Sequence, residues 1–396
     1  MYDAVVVGAR CAGASVAMLL ARRGQRVALV DRAAFPSDTL STHFLWQRGA
    51  ARLQAWGLLD RLRGRGCQPI DELAVDFGPV VLSGRGDAVD GVVETYCPRR
   101  TVLDQLLVDA ALEAGAEFFE GCVVDELAWS DGRVVGIRGR SRSGSRLALG
   151  GRLVVGADGL HSTVVRQTAA EAYAWHPPLT CVYYAYWSGI EPRRASFHPR
   201  PGRLILVWPT NDELTCVCVA WRHAEFTRFQ ADVEGNFLAT LELVDGLRER
   251  VTAGRRETSF YGTADLPNQY RTSHGPGWAL VGDAGHHKDP ATGMGMSDAF
   301  LSAELLAAAL DDAQAGRRSP DEALAAYSRV RDAATDNSFR LTLRTAALEP
   351  VAEHLLAYYA RAATDPEQIR LVLGALGGSL PFREVYSRER IEATLN

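Results

Sequence analysis

The spacing of apolar positions changes several times along the chain, and those changes mark out its elements. Residues 3–8 (DAVVVG) form an unbroken apolar run, the pattern of a strand covered on both faces of a parallel sheet. The small-residue stretch ARCAGASVAMLLARRG predicts a helix closed by Gly24, and a second strand over 25–30 ends in Asp31. Residues 44–62 read as an amphipathic helix broken at Gly57. Residues 71–82 and 91–96 alternate like antiparallel strands joined by the turn RGDAVDG. A helix follows with apolar residues at Val102, Leu103, Leu106, Leu107, Ala110 and Ala111, then a strand over 117–124, a hairpin of 132–138 with 146–149, and a strand over 153–155. From 180 to 261 the texture becomes alternating and aromatic (CVYYAYWSG, RLILVWP, LTCVCVAW), which predicts antiparallel sheet. Alternation lets one face of each strand line a pocket without saying which. Residues 278–281 form a short strand that stops at Gly282-Asp283, crosses a loop with Pro290 and two glycines, and enters a long helix. Segments 320–348 and 351–376 are helical with mixed charges, and predict a helical tail with a solvated face or a dimer contact.

Composition narrows the function classes. A chain of 396 residues with 47% hydrophobic content predicts two or three domains. The net charge of -5, with no long basic run, excludes a nucleic-acid footprint. The opening, interrupted by Arg10, reads as neither a secretory signal nor a spanning helix, so no membrane span is expected. Seven scattered cysteines fit a reducing, cytoplasmic setting and supply no metal site. Monomer and homodimer both remain open. All but one of the 43 basic residues are arginine, and the single lysine, Lys288, falls in the loop after Gly282.

Two stretches carry chemistry. The strand, the turn GARCAG, the helix, the second strand and Asp31 form a dinucleotide-binding opening: Gly8 makes the tight turn, Ala12 and Gly13 permit close helix packing, and Asp31 accepts from a ribose hydroxyl. Arg10 replaces the middle glycine, either to bring a guanidinium to the phosphates or as a solvent-facing turn residue. Further on, Gly293, Gly295 and Ser297 stand at a helix start, where bare N–H groups suit an electron-rich ligand, and Asp283 at the strand end suits a sugar hydroxyl. The run GDAGHHKDPATGMGMSDA resembles the second FAD-binding motif, GD…P…GxG, of the flavoprotein monooxygenase and geranylgeranyl-reductase superfamily. GADGLHSTVVR, with Asp158 and Arg166, is similar to the DG motif of the same proteins, and Arg100-x-x-Leu-Asp104 to their arginine-bearing helix start.

The resemblance covers roughly residues 1–310. It implies an α/β fold: a Rossmann-like FAD-binding domain of the glutathione-reductase type (1–75, 98–179 and 262–318), an antiparallel β-sheet substrate domain (76–97 and 180–261) and a C-terminal helical segment (319–396). It implies FAD held by Gly8, Arg10, Ala12, Gly13, Asp31, Arg32, Arg100, Val123 (through its backbone), Asp158, Gly282, Asp283, Pro290, Gly293, Gly295 and Met296. No second dinucleotide fingerprint occurs, so NADH or NADPH would dock transiently. Substrate contacts are expected from Tyr184, Tyr186 and Trp208 of the aromatic strands, and catalytic roles are assigned to Lys288, His287 and His43. Lys288 would neutralise charge or orient a substrate oxygen, unless it is a surface residue paired with Asp289; the histidines would pass a proton unless merely packed. The implied activity is NAD(P)H-driven oxidation of a hydrophobic or aromatic small molecule in specialised metabolism, by monooxygenation. The alternatives are reduction of a carbon–carbon double bond and a non-catalytic or electron-transfer FAD protein.

Overall fold

The computed structural model describes residues 1–190 and 194–395. The opening strand Tyr2–Val7 lies inside a parallel sheet, between Val27–Asp31 and Arg146–Gly156, with Val5 opposite Ala28 on one side and Val154 on the other. Glu117–Glu120 continues the sheet beyond Val27–Asp31, and Trp278–Leu280 continues it beyond Arg146–Gly156, both parallel. The helix Cys11–Ala21 is buried along its whole length. Its small side chains allow this, since it is wedged against the helices Arg100–Glu113 and Gly295–Gln314 as well as the sheet. Gly8 shows how tight the crossing is: its φ is +102°, and a Cβ there would stand 2.4 Å from the Ala157 carbonyl oxygen.

The second sheet runs in the order Arg255–Arg256, Thr180–Ser188, Thr215–Arg222, Arg203–Pro209, Ala195–Arg200, Leu73–Asp76, Val81–Gly84. Its two faces bury different things. Tyr184, Tyr186, Leu206, Trp208, Cys216 and Cys218 share a core with Phe44, Trp46, Ala291 and Met294, residues of the parallel-sheet half of the chain. Ala185, Trp187, Ile205, Val207, Val217, Val219 and Trp221 pack instead on the helical residues Phe229, Phe237 and Leu241. The alternation left open by the sequence is thereby resolved, and the sheet forms a roof whose aromatic face looks toward the loop after Trp278–Leu280.

Two expectations need correcting. Residues 91–96 do not form a strand but make single bridges, Thr95 with Ile70 and Tyr96 with Leu45. Leu73–Asp76 instead pairs with Val81–Gly84 across a tight turn in which the Gly78 N–H donates to Asp76 Oδ1 at 2.7 Å, closing the hairpin before RGDAVDG is reached. The break expected at Gly57 is present: residues 44–62 hold two helices, Gln47–Ala55 and Leu59–Gly64, with Gly57 between them at φ +74°.

The second correction is the larger. Pro320–Ala346 has the expected solvated face, with Arg329, Asn337 and Arg340 exposed, but it is more than a tail. It begins with a capping box between Ser319 and Glu322 and carries one polar stripe that is buried against the motif loop. Tyr327 OH donates to the Leu280 carbonyl at 2.7 Å, and Arg331 donates to the carbonyls of Gly285 (3.1 Å) and Arg271 (3.3 Å). Thr335 meets Tyr270 OH at 2.9 Å, and Thr342 meets Thr292 at 2.7 Å. The spacing of three to four residues puts all of these on one side of the helix. The helices Glu353–Ala362 and Pro366–Gly377 cover the edge strand Val81–Gly84, burying Leu82 with Tyr358, Tyr359 and Val372.

Replacing Arg331 by Leu removes its bond to the Arg271 carbonyl and leaves the Gly285 carbonyl with the Arg271 N–H alone, and should cost about 2 kcal/mol. Urea unfolding would show this as a lower midpoint at unchanged slope; a shift of less than about 0.5 kcal/mol would mean that the stripe does not hold the loop.

Candidate functional site

At the dinucleotide end the geometry is set by backbone N–H groups. Helix Cys11–Ala21 starts without a side-chain cap and without an acidic residue in its first turn, so its first N–H groups and dipole are open to a negatively charged ligand. Asp31 is buried where its strand ends, and its carboxylate accepts from Ala9 N (2.7 Å) and Ala33 N (2.8 Å). Each oxygen keeps a lone pair for a hydroxyl. Arg32 beside it is exposed. Val123 is the second residue of the strand Cys122–Ser130, two places after Gly121, and is 43% exposed.

Arg10 does not hang in solvent. It donates to Asp104 Oδ2 at 2.8 Å and to Ser37 Oγ and the Asp38 carbonyl at 3.1 Å. Asp104, fully buried, also accepts from Arg100 at 3.0 Å and from the Cys11 thiol at 3.3 Å. One carboxylate therefore ties both arginines to the start of the opening helix. Asp158 serves its own turn: Oδ1 accepts from Ser162 Oγ (2.5 Å) and Oδ2 from Thr163 N (2.6 Å), while burial pushes its carboxyl up.

The motif loop is packed on polar partners. Gly282 and Asp283 form a short turn against Ala12, and His286 stacks on Tyr270 with centroids 4.3 Å apart. Lys288 is buried and does not pair with Asp289. Its ammonium forms an ion pair with Asp298, in the first turn of Gly295–Gln314, and donates to Ser338 Oγ at 2.8 Å. Burial lowers its pKa, and Asp298 opposes that shift. His287 Nδ1 bonds to the Pro267 carbonyl. Asp289 accepts from Thr180 Oγ1 (2.6 Å) and Ala291 N (3.0 Å), and burial raises its pKa to about 6. Gly282, Asp283, His286, Lys288, Gly295, Asp298, Ser302 and Arg331 border a cavity of about 20 Å³, room for a single water molecule.

Roof and loop meet at Pro290–Met296. Gly293 has φ +64°, and a Cβ there would stand 3.2 Å from Phe44 Cβ, while Trp46 Nε1 donates to the Thr292 carbonyl at 2.8 Å. Gly295 begins the long helix with Met296 buried behind it. Phe44 packs on Trp208 at 5.0 Å. His43, next in line, is fully buried with Nε2 2.8 Å from Tyr186 OH, edge-on to Tyr184 (5.5 Å) and Tyr186 (5.7 Å). Burial, then Arg100 and Arg99, lower the imidazole pKa to about 3. Residues from sequence positions 8 to 296 thus converge, with the open helix start at one end and the aromatic roof at the other. Sequence reasoning did not single out Arg331, Ser338, Thr342 or Asn268, whose Oδ1 accepts from Asp289 N at 2.7 Å. The signal for the first three was hydroxyl-bearing and arginine side chains at helical spacing.

These residues fit FAD: a glycine turn that excludes any side chain, an uncapped helix start, an acid at the second strand end and a second acid, Asp283, at the strand end opposite. The class defined is a flavin-dinucleotide protein of single-Rossmann plan with a β-sheet roof. Residues 1–341 match the family described as FAD binding domain, and the chain belongs to that family. It is 29% identical to digeranylgeranylglycerophospholipid reductase 1 of Methanopyrus kandleri, over 77% of this chain and 79% of the relative. It is 24% identical to the FAD-dependent monooxygenase OpS4 of Beauveria bassiana, over 83% and 80%. The fold matches that of the myxobacterial chondrochloren halogenase CndH, an FAD-dependent halogenase, with TM-score 0.79 and 21% identity over 100% of this chain and 96% of that one. Family and relatives place the chain among the FAD-dependent oxidoreductases.

Two expectations follow from the buried loop. Because Lys288 is the chain's one lysine and Met1 is exposed, an amine-acylating reagent should modify the N-terminus of the native protein and leave Lys288 untouched until urea is added. Peptide mass mapping reads both sites, and native acylation of Lys288 at a rate similar to Met1 would contradict its burial. Asp289 gives a pH signature. Its folded pKa lies above the usual carboxylate value of about 4, so the stability it lends is present below that value and is lost as pH rises through about 6. Urea midpoints of the native chain should therefore fall more between pH 4 and pH 6.5 than those of Asp289→Asn; parallel profiles would refute the assignment.

Proposed function

We propose that this chain is an NAD(P)H-dependent FAD monooxygenase acting on a hydrophobic or aromatic small molecule of specialised metabolism. The observation that carries the reading is the buried aromatic face of Tyr184, Tyr186 and Trp208 directed at the loop that holds Pro290, Gly293 and Gly295. FAD, when bound, supplies the redox chemistry, and the chain supplies orientation, charge and exclusion of water. Gly8, Ala12, Gly13 and the open helix start take the pyrophosphate, with Arg10 adding charge. Asp31, Arg32 and the Val123 backbone serve the adenosine end. Arg100, Asp158, Gly282 and Asp283 line the middle, and Pro290 through Met296 face the ring.

Of the candidate catalytic residues, Lys288 and His287 are committed to Asp298, Ser338 and Pro267, so their proposed role is to hold the loop and set its charge. His43 alone faces the roof. A nicotinamide docks on the surface because a single dinucleotide fold is present. The likeness to a reductase over 79% of its length favours a second reading, reduction of a carbon–carbon double bond by the same reduced flavin.

Anaerobic addition of NADH or NADPH should bleach the bound flavin, and admitting air should restore it. In the monooxygenase reading, reduced enzyme consumes O2 faster with an aromatic substrate present; in the reductase reading, the same enzyme is reoxidised anaerobically by an unsaturated isoprenoid. No bleaching with either nucleotide would remove the NAD(P)H assignment. Asp283→Ala should weaken FAD binding about tenfold or more, through loss of a carboxylate acceptor, as read by fluorescence titration.

A further inference from the structure

The roof sheet has a second face, and a row of polar side chains on it lies outside the flavin chemistry. Ser196 stands opposite Val207 and His198 opposite Ile205, both residues of the face that packs on Phe229, Phe237 and Leu241. Phe197, between them, points the other way, into the core of Tyr184 and Trp208. The row is therefore on the far side of the sheet from the aromatic face that looks toward the motif loop. His198 Nε2 is 2.9 Å from Ser196 Oγ, and its Nδ1 is 3.0 Å from Asp76 Oδ2 on the neighbouring strand. Asp76 also accepts from Arg200 Nη2 at 2.9 Å and from the Gly78 N–H at 2.7 Å.

These partners fix every proton in the row. Burial by itself would raise the Asp76 carboxyl, but the Gly78 N–H, His198 and Arg200 together bring it below the usual carboxylate value, so it can only accept. Nδ1 of His198 must then carry the N–H. Burial holds the imidazole pKa below the histidine norm, with Asp76 opposing and Arg200 and Arg250 assisting, so near neutral pH the ring is uncharged and Nε2 presents a lone pair. The Ser196 O–H donates to it. A hydroxyl donating to a neutral imidazole, whose other nitrogen is held by a carboxylate, is the arrangement of an activated serine on any fold. Ser196 is half-buried, and the side chains of Arg194, two places before it, and Glu72 are 41% and 46% exposed, so the row opens to solvent at its Ser196 end. Arg194 Nη1 donates to Glu72 Oε1 at 3.0 Å and Ser83 Oγ at 2.6 Å, leaving Nε and Nη2 without partners among the described residues.

We propose that Ser196 is the nucleophile of an ester-cleaving activity separate from the flavin chemistry, with His198 as general base, Asp76 as positioning residue and small activated esters as substrates. Oγ bonds to the carbonyl carbon while Nε2 takes the hydroxyl proton. The free N–H groups of Arg194 favour the carbonyl oxygen as it gains negative charge. The bond to the leaving oxygen then breaks, the imidazolium returns its proton to that oxygen, and the acyl group stays on Ser196. Water, losing a proton to Nε2, attacks the acyl carbon and releases the acid, which restores the serine. No oxidation or reduction occurs. The row opens directly on solvent, which restricts it to small esters with good leaving groups.

A fluorophosphonate tests the serine directly: Oγ bonds to phosphorus, fluoride leaves, and peptide mass mapping locates the adduct. The folded chain should be labelled at Ser196 well ahead of the exposed Ser143 and Ser145, and urea should abolish that preference. With p-nitrophenyl acetate, release of p-nitrophenol should fall about a hundredfold in Ser196→Ala and in His198→Asn, whose amide N–H stands near the Nδ1 position and keeps a donor for Asp76. The native rate should drop as pH falls through the His198 pKa, below the usual value of about 6.5, and Ser196→Ala should lose that dependence. Circular dichroism checks that each variant is folded, and the labelling reads the native chain, so a variant that failed to fold leaves the test standing. Labelling of Ser196 no faster than of Ser143 and Ser145, or ester cleavage as fast in folded His198→Asn as in the native chain, would overturn the proposal.

Discussion

The structure depends on how a loop full of backbone carbonyls and charged side chains is buried. Residues 280–292 run between the parallel sheet and the roof and, apart from exposed Asp283 and half-buried Gly282 and Pro290, are buried, so the polar groups there need partners. The long helix Pro320–Ala346 supplies several: Tyr327 and Arg331 for carbonyls, Ser338 for Lys288, Thr342 for Thr292. The Lys288–Asp298 ion pair closes the arrangement by joining the loop to the first turn of the next helix. A buried pair of this kind is weak evidence for stability, because desolvation offsets the attraction. Its effect here is geometric. The loop has one conformation because its charges have one set of partners.

The cofactor-facing architecture follows from that support. With the loop fixed, Gly293 can touch Phe44, and Phe44 can touch Trp208, so the roof is placed over the loop through contacts between aromatic faces. At the other end, Asp104 takes two arginines and the Cys11 thiol, which orients the start of the opening helix. The helical segment after residue 319 is therefore part of the site's scaffold. Its outer face is charged, and its inner face is a ladder of hydroxyls and one arginine.

Much of this was legible in the sequence. The strand, glycine turn, helix and Asp31 were read correctly because their constraints are local: a Cβ at Gly8 has nowhere to go, and no tertiary context changes that. The roof sheet was legible from alternation, but its inward face was not, since period two is symmetric until a partner is known. Residues 91–96 alternate like a strand and are none, because Val81–Gly84 reaches the partner first. The polar stripe of the long helix was illegible for a different reason. Ser, Thr and Arg at helical spacing describe a solvated face equally well, and only the buried loop opposite turns them into ligands for its carbonyls. Lys288 stood out as the single lysine, yet its partner, ten residues away across a helix start, could not be told from the adjacent Asp289.

The central claim is that these residues together make an FAD site, and the most direct measurement is a titration of the purified chain with FAD, followed by visible absorbance and flavin fluorescence. The account predicts saturation at one FAD per chain, with a structured, shifted flavin band and quenched emission from a ring enclosed between aromatic residues. A spectrum indistinguishable from free FAD at every concentration would contradict it.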